Sequence, residues 1–334
     1  MRQEMKRIAI DAMGGENAPK AIVDAVLKAK AELPEDQFIL FGDEAQLKEL
    51  LPQDDPQIEI VATTEVILDE DEPVKAMRSK KNSSMVVAAN WVKEGKADAL
   101  LSLGNTGALL SCGIFIIGRI KGVARPGLMP TMPVQSSDDG FNIIDVGANA
   151  TSKPEYLVQW AEMAAYYAEK VRNVRNPRVA LLNNGAEYDK GDDLHKAVYQ
   201  LLKDSKLNFT GNIEGHELLT GKADVVVTDG FTGNAVLKSI EGTASVIIHL
   251  LKDGLLNNGV KAKLGALLAK DALKTVASRF DTAKYGGAVL LGVNSPVVKQ
   301  HGRSDARAVY YAVKQIDKIL TEDLISAFKA EFSK

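Results

Sequence analysis

Two short glycine-rich turns carry the residue types of an anion-binding site. Residues 97–110 read ADALLSLGNTGALL and residues 223–236 read ADVVVTDGFTGNAV, so in both a largely apolar run precedes Gly-x-Thr-Gly. Such a turn at the start of a helix presents unpaired backbone N–H groups and the positive end of the helix dipole, which together bind phosphate and similar anions. One such turn is ordinary turn chemistry, but the pair predicts an anion-binding cleft.

The candidate ligands in these turns are main-chain N–H groups, hydroxyls and side-chain amides. They are Gly104, Asn105, Thr106 and Gly107 in the first turn, and Gly230, Thr232, Gly233 and Asn234 in the second. None of these side chains is charged. We therefore expect the main chain and the helix end to supply the polarity of each turn.

Charged candidates lie elsewhere in the chain. The segment EPVKAMRSKKNSSM, residues 72–85, places Arg78, Lys80 and Lys81 directly before residues that can cap a helix running to Gly95. These cations either attract a multiply charged anion or simply face water. Of the four histidines we single out His301, which precedes a capped helix, as a proton donor or an anion ligand.

Composition excludes several classes of protein. The 334 residues are 46% hydrophobic and 25% charged with a net charge of -3, which is typical of a globular protein and excludes a globally basic nucleic-acid binder. The single cysteine, Cys112, excludes an intramolecular disulfide and fits a reducing compartment. Residues 1–13 contain no apolar signal core, so we expect a cytoplasmic protein without a membrane span.

Missing motifs narrow the chemistry. There is no P-loop motif, no G-x-G-x-x-G after the first strand, no G-x-S-x-G and no metal-ligand spacing of histidine and cysteine. Cys112 lies within an apolar helical run, which is typical of a buried structural thiol. We therefore expect no metal, no cofactor and no covalent enzyme intermediate, but direct transfer between two bound substrates.

Short apolar runs alternate with segments of helical period. Strands are predicted at 7–12, 37–42, 58–63, 98–103, 142–146, 178–183 and 223–228, and helices at 19–33, 83–95, 154–171, 193–204, 234–256, 260–279 and 304–332. This alternation is typical of a mainly parallel sheet with helices on both faces. We expect one two-lobed α/β unit over 1–334, with 125–133 crossing between the lobes.

Residues 260–280 predict a basic amphipathic helix within a helical extension at 234–280. Leucines form its apolar arc, and lysines lie opposite. The candidate contact residues are Leu264, Leu268, Leu273, Lys263, Lys270 and Lys274. Such a helix packs on the protein's own core or a second subunit, or it lies on an anionic membrane surface.

Eight motifs, in order along the chain, resemble the bacterial phosphate acyltransferases of fatty acid and phospholipid synthesis. They are DAMGGENAP (11–19), EPVKAMRSKKNSSM (72–85), GNTGA (104–108), RPGLMPTMP (125–133), DVGAN (145–149), GNIEG (211–215), DVVVTDGFTGN (224–234) and KYGGAVLLG (284–292). The resemblance runs from Ile8 to about Ala308. The chain departs from the family pattern at Glu16, where Asp is usual, and within NNGAEYDKG (183–191).

The resemblance implies transfer of a long-chain acyl group from acyl carrier protein to inorganic phosphate. It also implies a dimer, peripheral contact with the membrane, and a two-lobed α/β/α sandwich similar to the isocitrate and isopropylmalate dehydrogenases and the phosphotransacetylases. The site would lie between the lobes. A small-acyl phosphotransacetylase that uses coenzyme A, or a decarboxylating dehydrogenase of the same fold, is the alternative.

For that reaction we assign provisional roles to the candidate residues. His301 protonates the leaving thiol, and Asp229 orients a partner or accepts a proton from phosphate. Asn234 is the amide donor of the second anion-binding turn, while Lys81, with its two neighbouring cations, binds phosphate or the acidic carrier. One glycine-rich turn holds phosphate and the other the oxyanion or the carrier's phosphopantetheine, in an order that the sequence leaves open.

Overall fold

The fold is taken from a computed structural model that describes residues 5–51, 55–257 and 259–332. Its strands are β1 (Arg7–Asp11), β2 (Gln37–Gly42), β3 (Ile58–Ala62), β4 (Ala99–Ser102), β5 (Gly127–Met129), β6 (Thr131–Met132), β7 (Phe141–Ile144), β8 (Arg178–Asn183), β9 (Asn208–Glu214), β10 (Val225–Val227), β11 (Ala288–Leu291) and β12 (Val297–Lys299). Its helices are α1 (Lys20–Glu32), α2 (Glu44–Leu50), α3 (Pro73–Ser79), α4 (Ser84–Lys93), α5 (Thr106–Ser111), α6 (Pro154–Lys170), α7 (Asp193–Lys203), α8 (Gly230–Asn257), α9 (Gly259–Leu268), α10 (Lys270–Arg279), α11 (Ala306–Thr321) and α12 (Leu324–Phe332). Residues 1–4, 52–54, 258 and 333–334 of the predicted unit lie outside the described part.

The strands form two mainly parallel sheets. The first has the order β3-β2-β1-β4-β12-β11-β5, in which only β11 runs against its neighbours, and the second has the order β6-β7-β10-β8-β9, with β6 antiparallel to β7. Each strand predicted from the sequence is present within two residues of its predicted ends. The predicted α/β class is therefore confirmed, with the sheet divided between the two lobes.

Both faces of the central strands of each sheet are buried, which explains the nearly continuous apolar runs in these strands. In β1, Ile8 and Ile10 pack into one core with α1, α6 and α11, while Ala9 packs into a second core with α4 and α5. In β10, Val226 faces the second core and its two neighbours the first. Helices therefore cover the sheets from both sides, in three layers.

The segment predicted to cross between the lobes contributes one strand to each sheet. β5 pairs with β11 in the first sheet, and β6 pairs with β7 in the second, with Pro130 between them. The indole Nε1 of the buried Trp160 donates to the carbonyl of Arg125 at 2.8 Å and so fixes the start of the segment. The two lobes are thereby joined next to the ends of their strands.

Two helix predictions need correction. The single helix predicted at 260–279 is two helices, α9 and α10, separated by a turn at Ala269. The helix predicted at 304–332 ends at Thr321 and restarts as α12, because Asp323 adopts a left-handed backbone conformation with φ of 46°. Among the described residues, none of the helices combines the length and apolar character needed to span a bilayer.

Candidate active site

The carboxyl ends of the strands in both lobes open into one cleft of about 660 Å³. The first lobe contributes residues 104–107 after β4 and residues 299–302 at the end of β12. The second contributes Thr131 and Val146 together with Asn234 and Leu237 of α8. This position, beyond the carboxyl ends of parallel strands, is where open α/β sheets bind ligands.

The two glycine-rich turns occupy corresponding places in the two lobes. The first follows β4, which pairs with β1, and the second follows β10, which pairs with β7. Each partner strand is followed by, or ends in, a buried aspartate: Asp11 for β1 and Asp145 for β7. The sequence echo between residues 97–110 and 223–236 therefore reflects a repeated local architecture.

Asp11 positions the first turn through hydroxyl groups. Its carboxylate accepts from the hydroxyls of Ser84 at 2.6 Å and Ser102 at 2.7 Å, and the Ser102 hydroxyl accepts from Gly104 N–H at 3.0 Å. A Cβ at Gly14 would lie 2.6 Å from the Gly104 nitrogen, so only glycine fits there. Burial raises the pKa of Asp11, against the opposing effect of these hydrogen bonds.

Within the first turn, Asn105 is a structural residue and Thr106 faces the cleft. The Asn105 amide caps α5 by accepting from Ala108 N–H at 3.0 Å, and its Nδ2 donates to the carbonyls of Leu68, Asp69 and Asp71 at 3.1–3.2 Å. Its donors are thus committed to the 68–71 loop, and the anion-binding role predicted for this side chain has to be revised. Thr106 is exposed at the cleft wall.

The glycines of the second turn allow close packing and do not line the cleft. A Cβ at Gly230 would lie 2.2 Å from the Asn149 carbonyl oxygen, and one at Gly233 would lie 1.9 Å from the Asp145 carbonyl oxygen. The Asp145 carboxylate accepts from four main-chain N–H groups of residues 128 and 147–149 at 2.9–3.1 Å. The start of α8 is therefore held directly against the 145–149 loop.

The other candidates of the second turn point in different directions. Asp229 caps α8 by accepting from the N–H groups of Phe231 at 3.1 Å and Thr232 at 3.0 Å. Thr232 lines a separate cavity of about 380 Å³ beside Asn183. Of this turn, Asn234 reaches the cleft. The first turn therefore lines the cleft with all four of its residues, whereas the second contributes Asn234.

The cations predicted from residues 78–81 do not line the cleft. Lys80 Nζ donates to the Asp71 carboxylate at 2.5 Å and to the Val66 carbonyl at 3.0 Å, which fixes it beside the 68–71 loop. Arg78 and Lys81 are exposed outside the cleft. The assignment of Lys81 to catalysis thus receives no support from its position.

Lys299 supplies the cation that the sequence reasoning missed. It ends β12 opposite Ser102 of β4, and its Nζ donates to the carbonyls of Leu103 at 2.9 Å and Gln300 at 2.6 Å. Burial lowers the pKa of Lys299 to about 8, against the opposing effects of Asp69 and Asp11, and within the described residues it forms no salt bridge. A third N–H of this half-buried ammonium is therefore available to an anion in the cleft.

His301 lies next to Lys299 at the cleft. Its Nδ1 accepts from Arg303 N–H at 3.2 Å, which leaves the proton of the neutral ring on Nε2. Burial lowers the pKa of His301, and the nearby Lys238 and Lys299 lower it further, against the opposing effect of the Glu241 carboxylate. The lowered pKa favours the neutral ring near pH 7, and it therefore favours the predicted role of anion ligand over the predicted role of proton donor.

The candidate contact residues of 260–280 divide between two helices. Leu264 and Leu268 of α9 are 57% and 82% exposed, whereas Leu273 of α10 turns toward α8. The lysines Lys263, Lys270 and Lys274 are all exposed. The single apolar arc predicted for one helix is therefore two surfaces.

Two further features bear on the chemistry. Cys112 is fully buried, as predicted from its apolar surroundings, and burial raises the pKa of its thiol to about 12. In the ranges that the structure describes, no group of three or more histidine, cysteine, aspartate and glutamate side chains could hold a metal ion.

Solved structures share the fold of this chain. A branched-chain phosphotransacylase from Enterococcus faecalis V583 matches with a TM-score of 0.59 and 17% identity, over 94% of this chain and 98% of that one. A phosphotransacetylase from Streptococcus pyogenes matches with a TM-score of 0.58 and 16% identity, over 98% and 95%. At these identities the likeness concerns the fold.

Sequence relatives are much closer. A phosphate acyltransferase of Lactobacillus delbrueckii subsp. bulgaricus is 88% identical over 330 residues, which cover 99% of this chain and 100% of the relative. One from Latilactobacillus sakei is 55% identical over 98% of this chain and 97% of the relative. Residues 6–327 match the family described as Fatty acid synthesis protein. The chain therefore belongs to this family, in which its relatives bear the name phosphate acyltransferase.

Proposed function

We propose that this chain is a phosphate acyltransferase that moves a long-chain acyl group from the thioester of acyl carrier protein to inorganic phosphate. The observation that carries the proposal is Lys299, a half-buried ammonium beside the Thr106 turn that forms no salt bridge with any described carboxylate. A desolvated charge of this kind is stabilised when an anion binds next to it. Phosphate is the anion that the reaction requires.

In the proposed complex, phosphate binds in the first lobe. Lys299 and the Thr106 hydroxyl contact its oxygens, together with the N–H groups at the start of α5. Held in this way, one phosphate oxygen attacks the thioester carbonyl carbon without an enzyme nucleophile. Fixing two reactants in line contributes much of the catalysis in such a reaction.

The second lobe and His301 act on the acyl donor. Asn234 Nδ2 and the Nε2–H of His301 are the candidate donors to the oxyanion of the tetrahedral intermediate. As that intermediate collapses, the carbon–sulfur bond breaks and the phosphopantetheine sulfur leaves as a thiolate. The products are an acyl phosphate and the free carrier thiol. With His301 neutral, the thiolate takes its proton from water.

Arg78 and Lys81 are assigned to the carrier in this proposal. Both are exposed outside the cleft, on and just after α3, whose Pro73 contributes to the cleft wall. Exposed cations at the rim of a site steer an acidic partner and raise the association rate. Their substitution should therefore change the KM for the carrier and leave the KM for phosphate unchanged.

One assay separates the proposal from its alternatives. The protein is incubated with phosphate and either palmitoyl-carrier protein or acetyl-coenzyme A, and acyl phosphate is trapped with hydroxylamine; a third reaction offers a 2-hydroxy acid with NAD. We expect product from the palmitoyl carrier. Faster turnover of acetyl-coenzyme A, or reduction of NAD, would replace the proposal by a phosphotransacetylase or a dehydrogenase.

The proposal includes a cytoplasmic homodimer that touches an anionic membrane through α9. Leu264 and Leu268 are exposed and Lys263 lies near them, which is the composition of a helix that binds anionic lipid surfaces. Leu264→Glu/Leu268→Glu should abolish co-sedimentation with phosphatidylglycerol vesicles, whereas Leu201→Glu, at an exposed leucine of α7, should not. If the two variants bind the vesicles equally, α9 packs against protein and does not contact the membrane. Sedimentation velocity tests the proposed dimer.

A further inference from the structure

The second lobe presents a charged pair to the cleft from the first turns of α8. Asn234, Leu237, Lys238 and Glu241 all line the cleft. Leu237, Lys238 and Glu241 follow Asn234 by three, four and seven residues, which places the four side chains on one face of the helix. A lysine and a glutamate therefore stand beside the candidate oxyanion donor Asn234.

The ion pair between Lys238 and Glu241 leaves the lysine able to bind a ligand. Lys238 Nζ donates to the Glu241 carboxylate at 2.8 Å. The two side chains are 58% and 39% exposed, and ion pairs with this degree of exposure contribute little to stability. An ammonium has three N–H groups, so Lys238 can donate to an anion in the cleft without leaving Glu241.

Lys238 lies across the cleft from Lys299, which belongs to the first lobe. Both lysines line the same cleft of about 660 Å³. Burial lowers the pKa of Lys299 to about 8, and the positive charge of Lys238 lowers it further, against the opposing effects of Asp69 and Asp11. The two ammonium groups are thus close enough to repel each other. Such a pair is stabilised by an anion that binds between them.

The charge and the position of this pair fit inorganic phosphate. Phosphate becomes a dianion above neutral pH and matches two cations, whereas the phosphodiester of a phosphopantetheine arm carries one negative charge. The amide of Asn234 precedes Lys238 by one turn on the same face of α8. A phosphate at Lys238 therefore lies next to the thioester carbonyl whose oxyanion Asn234 would bind, which is the proximity that the attack requires.

We infer that Lys238 is the second cation of the phosphate site and that phosphate binds between Lys238 and Lys299. The inference rests on the proposed function and adds a residue of the second lobe to the groups that contact the nucleophile. With one cation on each wall, bound phosphate joins the two lobes. The negative charge of Glu241 lies beside the same place and opposes phosphate binding.

The first test measures the binding of inorganic phosphate alone to the full-length protein by isothermal titration calorimetry at pH 7 and low salt. Lys238→Met should raise the Kd by about fivefold to thirtyfold, the factor expected for one to two phosphate charges ~4 Å from a cation in water. Glu241→Gln removes the repelling carboxylate and should lower the Kd. Lys48→Met is the matched control, because it breaks a similarly exposed helical ion pair, with Glu44 on α2, outside the cleft. It should leave the Kd within twofold.

The second test separates phosphate from the phosphodiester of the carrier arm. Steady-state transfer is measured with the concentrations of phosphate and of palmitoyl-carrier protein varied independently. Lys238→Met should raise the KM for phosphate and leave the KM for the carrier within twofold. A rise confined to the carrier KM would assign Lys238 to the phosphodiester and overturn the inference.

The calorimetric outcomes decide the role of Lys238 without reference to acyl transfer. An unchanged Kd in Lys238→Met, or an equal rise in Lys48→Met, would overturn the inference, as would a Kd that rises in Glu241→Gln. If the unmodified protein binds phosphate but transfers no acyl group to it, the proposed function fails. The effect of Lys238→Met on the Kd then still shows whether this lysine contacts phosphate.

Discussion

Lys299→Met is the substitution that probes the proposed phosphate site most directly. Methionine keeps the length and apolar stem of the side chain but removes the ammonium, so the carbonyls of Leu103 and Gln300 lose their donor. Both carbonyls lie at the cleft, where water can replace the lost hydrogen bonds. We therefore expect a folded protein with impaired phosphate binding.

The expected rise in the KM for phosphate follows from the loss of one charge-assisted hydrogen bond, between Lys299 and phosphate. A hydrogen bond between charged groups contributes about 1.5–3 kcal/mol, so the KM for phosphate should rise by roughly 10- to 150-fold. In the unmodified protein the pKa of Lys299 is lowered to about 8 by burial. Above pH 8 the free enzyme loses the ammonium, and kcat/KM for phosphate should fall by about tenfold per pH unit. Bound phosphate favours the charged form, so the fall in kcat should begin at a higher pH.

The assay follows release of the carrier thiol at varied phosphate concentration between pH 6.5 and 9.5. Lys81→Met is the matched control, because Lys81 is an exposed lysine outside the cleft and its loss should leave the phosphate KM within twofold. The Lys299→Met profile should lack the alkaline fall. If that variant retains the phosphate KM and the alkaline limb of the unmodified protein, Lys299 does not bind phosphate.

Four further outcomes are expected. Asn105→Ala removes a helix cap and the contacts to the 68–71 loop, and urea denaturation should show a loss of about 2–4 kcal/mol; a smaller loss would mean that the loop is held otherwise. Gly233→Ala should cost about 1–3 kcal/mol in the same measurement, whereas Gly265→Ala, where the new Cβ meets open space, should cost nothing; equal effects would contradict the packing argument. Native Cys112 should resist iodoacetamide at pH 8, as judged by mass spectrometry, and react only in denaturant, so rapid native labelling would refute its burial. The pKa of His301 is lowered from 6.5, and protonation would place a hydrogen on the Nδ1 atom that accepts from Arg303 N–H and orients the ring, so kcat/KM should fall only below that pH and His301→Asn should remove this acid limb; a limb that persists belongs to another group.

The fold could be predicted from the sequence because the patterns that indicate its strands and helices are local and strong. Continuous apolar strands such as β1 and β4 alternate with long amphipathic helices such as α6, and this pattern has few other solutions. The strands missed were short or interrupted, as in β5, or polar, as in β9. β9 reads NFTGNIE and lies at the edge of its sheet, where one side meets solvent and apolar residues are not required.

The sequence predicted the position of each turn better than it predicted the role of each side chain in the turn. The motif Gly-x-Thr-Gly looks the same at residues 104–107 and 230–233, yet the second pair of glycines lies against the carbonyls of Asn149 and Asp145. That contact depends on a loop about 85 residues earlier in the chain, so no local pattern reports it. Lys299 was missed for a related reason, because a lysine after two valines resembles the exposed end of any strand.

A strand lysine offers an advantage that the loop cations at 78–81 lack. Lys299 is fixed by two main-chain carbonyls at the point where β4 and β12 pair, whereas an exposed Arg78 or Lys81 would have to be ordered when phosphate binds. Ordering such a side chain costs up to about 2 kcal/mol of conformational entropy. A charge already held in place both binds phosphate and orients it for attack, since a misplaced nucleophile slows an in-line reaction. The turn at 104–107 therefore needs no charged side chain, because Lys299 on the neighbouring strand β12 supplies the positive charge next to it.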